Sequence, residues 1–119
     1  MAVRSLTSSV FTWPDAQAVD QALRRWAQRV AGAKPGVRRI GYFGSYARGD
    51  WGVGSDVDVI VVVAASDKPF ERRAADWDLT ELPVPADVLV YTEEEWRAVD
   101  PQTRFARTLA REAVWVHET

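Results

Sequence analysis

The sequence predicts an α/β layer with a small mixed sheet. Three observations carry that reading: apolar residues at helical spacing over residues 15–31, a continuous β-branched run inside residues 56–65, and a third short apolar run, Asp87 to Tyr91, introduced by prolines. The expected order is helix, strand, turn, strand, helix, strand, helix, strand.

Ala16, Val19, Leu23, Trp26 and Val30 step by three and four, which marks one face of an amphipathic helix. Thr12, Pro14 and Asp15 supply a start signal, Gly32 and Pro35-Gly36 a stop, and Arg24, Arg25, Gln28 and Arg29 fall on the wet face. Val37 to Phe43 reads as a strand, closed by Gly44-Ser45 and a Gly-rich connection through Gly54. Asp56 to Ala65 reads as a second strand, and its Val-Ile-Val-Val-Val centre indicates burial on both faces. Ser66 to Pro69 should open a helix up to about Thr80, although its apolar face is thin: Phe70, Ala74 and Trp77. Pro83 and Pro85 then place the start of the third strand at Asp87. Thr92 and Glu95 form a capping-box pattern, Pro101 begins a further helix carrying Phe105 and Leu109, and Val114 to Val116 reads as an edge strand.

The chain has 119 residues, 47% of them hydrophobic, which is material for one domain over residues 1–119. A net charge of −2, from 15 basic and 17 acidic residues, excludes a bulk basic field for nucleic acid. With no cysteine, disulfides, thiolate zinc sites and thiol nucleophiles are excluded. The longest apolar run, Val59 to Ala65, is far short of the about 20 residues of a membrane span, and Met1 to Leu6 lacks the apolar stretch of a signal peptide. A cytoplasmic location is the resulting expectation.

Two features between Gly41 and Val63 are chemically unusual. Asp56-Val57-Asp58 heads an apolar strand, so two carboxylates at i and i+2 share one face about 7 Å apart along the backbone. Like charges so placed call for a cation, and a pair of divalent ions about 3.5–4 Å apart is the usual occupant where phosphoryl chemistry is done. Asp87 opens its own strand in the same way. If the helix between is a crossover, the two strands run parallel and the three carboxylates converge at one sheet end. The second feature is Gly44-Ser45 followed by Tyr46-Ala47-Arg48-Gly49, a strand-to-helix turn whose N–H groups and Ser45 hydroxyl could bind an anion. Arg48 either adds a bidentate donor to phosphates or pairs with Asp50 on the surface.

Gly44-Ser45, ten residues, then Asp56-Val57-Asp58 resembles the Gly-Ser-x10-Asp-x-Asp signature of the DNA polymerase beta-like nucleotidyltransferase superfamily. Gly-Ser-Tyr-Ala-Arg-Gly and Gly-Ser-Asp-Val-Asp-Val resemble its minimal single-domain members, the MNT antitoxins of HEPN/MNT toxin–antitoxin pairs. The likeness runs from the first helix to Tyr91, about three quarters of the chain, and nothing after Thr92 matches a motif. The resemblance implies a polymerase beta-like fold in which Asp56, Asp58 and Asp87 bind two Mg²⁺ ions. Asp87 also helps deprotonate the acceptor, while Gly44 and Ser45 hold the triphosphate. It further implies transfer of AMP from ATP to a tyrosine hydroxyl of a HEPN toxin, which is thereby silenced, with no direct role for nucleic acid.

Plainer roles stand beside these. Asp50 and Ser55 suit turns, Ser45 could cap the short helix, and Glu93-Glu94-Glu95 is a negative helix start favoured by the dipole. His117 suits an edge position better than a catalytic base. Six tryptophans divide between core packing, as for Trp26, and partner contact, with Trp51 beside the site and Trp13 and Trp96 near helix starts. Two other functions fit the motif: a binding-only antitoxin, and a transferase acting on a small-molecule hydroxyl, which would usually need a further helical domain. A polymerase accessory would need the basic track that the charge balance does not favour.

Overall fold

In the computed structural model, which describes residues 12–119, four strands form one sheet in the order β3-β2-β1-β4, with β1 Val37–Phe43, β2 Val57–Val63, β3 Ala86–Thr92 and β4 Val114–Glu118. The signal-free reading of Met1 to Leu6 lies outside the described residues. β1 runs antiparallel to both β2 and β4, whereas β2 and β3 are parallel. This is the mixed sheet the sequence predicts, with β4 at one edge.

Helix α1, Ala16–Ala33, starts where Asp15 accepts a hydrogen bond from the Ala18 N–H at 2.9 Å and stops as the Lys34 N–H closes on the Val30 carbonyl. Its buried stripe of Val19, Leu23, Trp26 and Val30 packs on one face of the sheet, against Val57, Val59 and Val61 of β2. Two polar contacts fix its orientation: the Trp26 Nε1–H donates to the Asp78 carbonyl at 2.9 Å, and the Tyr42 hydroxyl donates to Asp20 Oδ1 at 2.7 Å. Ile60 and Val62 of β2 alternate to the opposite face and are also buried, as the unbroken apolar run requires. That second face is covered by α4, Glu93–Ala98, and α5, Arg104–Glu112, through a chain of rings linking Phe43, Phe105, Tyr91, Trp96 and Trp115. Trp115 crosses Gly41 so closely that a Cβ there would lie 2.7 Å from its ring.

Two sequence expectations are corrected. The helix expected from Ser66 to Thr80 is a single turn, α3, Phe70–Arg73, followed by a 3-10 turn over Ala74–Asp76. Its apolar face is too thin to hold a longer helix, and Asp78 binds the Thr80 N–H and hydroxyl in a competing turn. The last helix begins at Arg104 rather than Pro101, because Thr103 supplies the cap by accepting from the Ala106 N–H at 3.2 Å.

Arg73 ties the crossover to β3 and α4. Its side chain is only 7% exposed, and it donates to Lys68 O, to Val90 O and, with two nitrogens, to the Glu95 carboxylate at 2.6 and 3.0 Å. Glu95 also completes the expected capping box with Thr92. Arg73→Ala should cost about 2–3 kcal/mol in urea unfolding, because two carbonyls and one carboxylate lose their donor; the half-exposed carboxylate keeps the loss below that of a fully buried pair. The Arg73 hydrogen bonds and the Thr92 N–H pull the Glu95 pKa down to about 2. The folded state therefore releases this proton more readily than the unfolded chain. The contribution is complete above the ordinary glutamate value and fades as pH falls toward 2. Urea midpoints at pH 7, 4 and 2.5 should show that loss in the wild type and little of it in Glu95→Gln.

Candidate active site

The parallel register of β2 and β3 sets Asp58 directly beside Asp87, and Asp56 lies two residues earlier on the same face. The Val57 N–H anchors this end by donating to the Pro85 carbonyl at 2.9 Å. Asp56, Asp58 and Asp87 each present one carboxylate oxygen, and these oxygens all lie within 4.8 Å of one another. The convergence follows from strand direction alone: both strands begin at this end because the segment between them is a crossover.

Such a cluster is electrostatically uncomfortable. The Asp58 pKa is raised, first by burial and then by the negative charges of Asp56 and Asp87, while Arg48 opposes the shift and Glu112 adds to it. Asp56 and Asp87 are exposed and Asp58 is half-buried, so the triad opens to solvent on one side. Its all-oxygen donor set suits a hard divalent cation such as Mg²⁺, and a cation there would remove the repulsion that strains Asp58.

β1 delivers the second feature. It ends at Phe43, across from Asp58, and the chain turns at Gly44 with φ +87° and ψ −156°, a conformation open only to glycine. A Cβ at Gly44 would collide with Asp58 Oδ2, so the backbone passes against the carboxylate. Helix α2, Ser45–Arg48, follows and is closed by Gly49, which is also left-handed. Gly44, not Ser45, occupies the cap position, leaving Ser45 as the first helical residue.

Arg48 realises the surface pairing read from the sequence, with its Nε 3.0 Å from Asp50 Oδ2. Its Nη1 also reaches Glu112 Oε1 at 3.3 Å, and with 46% of the side chain exposed it remains accessible to a ligand. Ser55 is a turn residue, its Oγ accepting from the Gly52 N–H. The Glu93 to Glu95 run caps α4 and pairs with Arg38 and Arg73, away from the triad. His117 lies on β4 across from Ile40. Each tryptophan makes a contact within the chain: Trp51 stacks on Tyr46 at 5.4 Å, the Trp13 Nε1–H donates to the Tyr46 hydroxyl, Trp77 packs on Trp26, and Trp96 meets Trp115.

Glu112, the last residue of α5, is the group that sequence reasoning missed. Its Oε1 accepts the Gly44 N–H at 3.0 Å and its side chain is 8% exposed. The only local signal is an acidic residue at a helix C-terminus, where the dipole disfavours it.

A four-stranded mixed sheet thus carries three carboxylates at one end and a glycine turn against one of them. The nucleotidyltransferase domain family model matches residues 19–116, and the chain belongs to that family. Among solved structures it is similar to a candidate nucleotidyltransferase from Sulfolobus solfataricus, at 20% identity and TM-score 0.61, covering 87% of this chain and 83% of that one. It is also similar to a toxin–antitoxin crystallised with AMP-PNP, at 17% identity and TM-score 0.57, covering 81% and 73%. A mutant of the toxin–antitoxin MntA-HpeT gives 15% identity and TM-score 0.56 over the same shares. At these identities the likeness is one of fold. No protein of curated function matches the chain.

Proposed function

We propose that this nucleotidyltransferase moves AMP from ATP onto a hydroxyl, a tyrosine of a HEPN toxin, and so acts as the antitoxin of a type VII pair. The observation that carries the transfer chemistry is the convergence of Asp56, Asp58 and Asp87 beside the Gly44 turn. Two Mg²⁺ ions, when bound, supply charge neutralisation at the α-phosphate and at the departing pyrophosphate. Asp56, Asp58 and Asp87 would hold them through the carboxylate oxygens they present to one another. The acceptor oxygen bonds to the α-phosphorus as the bond to the β-phosphate oxygen breaks, and Asp87 takes up the acceptor proton. Ser45 and the turn it opens orient the triphosphate, and Arg48 exchanges Asp50 for a phosphate oxygen.

The triad opens to solvent on one side, which leaves room for an acceptor carried by a partner. The fold likeness to two toxin–antitoxin structures supports a toxin as that partner. Among the described residues no helix is long and apolar enough to cross a membrane.

The test is co-expression with the product of the neighbouring gene, followed by intact-mass analysis of that product. Wild type should add the mass of AMP to it, and Asp56→Asn/Asp58→Asn should not. If the double variant neutralises the partner fully and wild type leaves its mass unchanged, the chain is a binding-only antitoxin. Label on a small-molecule alcohol instead of the partner would move the acceptor to that class.

A further inference from the structure

We propose that Glu112 is a positioning residue for the reaction, fixing the Gly44 peptide against Asp58 and restraining Arg48 at the rim of the site. This rests on the transferase reading above, but its structural basis is separate. One carboxylate oxygen accepts both the Gly44 N–H, at 3.0 Å, and Arg48 Nη1, at 3.3 Å. The side chain is more than nine-tenths buried, so these two donors carry most of its desolvation cost.

Glu112 is misplaced by every local criterion. It sits at the negative end of α5, and its charge adds to the repulsion that Asp58 already meets. A residue needed only to hold α5 on the sheet would be apolar, as Phe105 and Leu109 are on the same face. The tertiary contact explains what the helix cannot, since departures from local preference concentrate where function requires them.

What the contact sets is the distance between turn and triad. The Gly44 backbone runs so close to Asp58 Oδ2 that no Cβ fits, so a small shift of this peptide changes the space open to that carboxylate. A misplacement near 1 Å in such a site can cost about 100-fold in rate. Glu112 thereby couples α5 to the Gly44 turn and, through it, to Asp58.

The experiment compares Glu112→Gln, Glu112→Ala and Leu109→Val, the last loosening the same helix without reaching the turn. Two readouts are taken: Mn²⁺ affinity by electron paramagnetic resonance, and the kcat and KM of AMP transfer from ATP. Gln keeps an acceptor for the Gly44 N–H. It should therefore hold kcat within about 3-fold of wild type, whereas Ala loses 10-fold or more in kcat with KM for ATP little changed. Mn²⁺ affinity should fall in Ala by several-fold and stay near wild type in Leu109→Val. If wild type transfers nothing but Mn²⁺ affinity follows this order, positioning stands and the transfer reading fails. If Glu112→Ala keeps wild-type Mn²⁺ affinity, or Leu109→Val loses as much kcat as Glu112→Ala, the proposal is overturned.

Discussion

Asp58→Asn is expected to abolish transfer and, in the same molecule, to make the protein more stable. Asp58 is the carboxylate that β2 and β3 bring into register with Asp87, and burial and its neighbours' charges hold its pKa above the ordinary carboxyl value. Loss of a group that holds charge at the reacting centre should lower kcat on the order of 10³-fold or more. Stability moves the other way because a raised carboxyl pKa means the folded state binds this proton more tightly than the unfolded chain. At neutral pH, where Asp58 is ionised, its repulsion is a cost, relieved as pH falls through its folded value and gone below the unfolded one. The substitution should therefore gain roughly 0.5–1 kcal/mol at pH 7 without added metal, a few degrees in Tm, and the gain should shrink in acid. Saturating Mg²⁺ should stabilise the wild type and leave Asp58→Asn unmoved, as expected for a ligand that binds only the folded site.

The second large effect concerns Gly44→Ala. At φ +87° and ψ −156° an L side chain is strained by about 1–3 kcal/mol, and the added Cβ also collides with Asp58 Oδ2. Stability should fall by about 2 kcal/mol and activity by about 100-fold or more, because the carboxylate must leave its place. Gly49 is the control. It too is left-handed, at φ +93°, but nothing lies within 4 Å of its Cβ position. Gly49→Ala should lose about 1 kcal/mol and keep most of its activity, so thermal melts and initial rates on the two variants separate backbone strain from damage to the site.

Much of this arrangement is legible in the residues. The apolar run of β2 is continuous because α1 covers one face and the aromatic layer of α4 and α5 the other, and continuity of that kind can be read from a sequence. Asp87 is legible for a topological reason: strand-initial aspartates on parallel neighbours must share an end. The segment after Pro69 is misread because one turn of helix and a 3-10 turn satisfy the same weak apolar spacing as a longer helix, and the Asp78 turn that ends it is a side-chain contact. Glu112 is illegible because its meaning lies 68 residues away, in the N–H of Gly44. The tryptophans are ambiguous in sequence for a related reason: Trp51 reads as a site neighbour, but only the structure shows it stacked flat on Tyr46.

Whether the triad directs attack on an α-phosphate is measured by a pair of reactions with Mg²⁺ and the co-purified partner, one with ATP labelled at the α-phosphate and one at the γ-phosphate. The α-label should become covalently attached to the partner, the γ-label should leave as pyrophosphate, and both events should vanish in Asp58→Asn. Attachment of γ-label, or α-label transfer that survives in Asp58→Asn, would contradict that role of the triad.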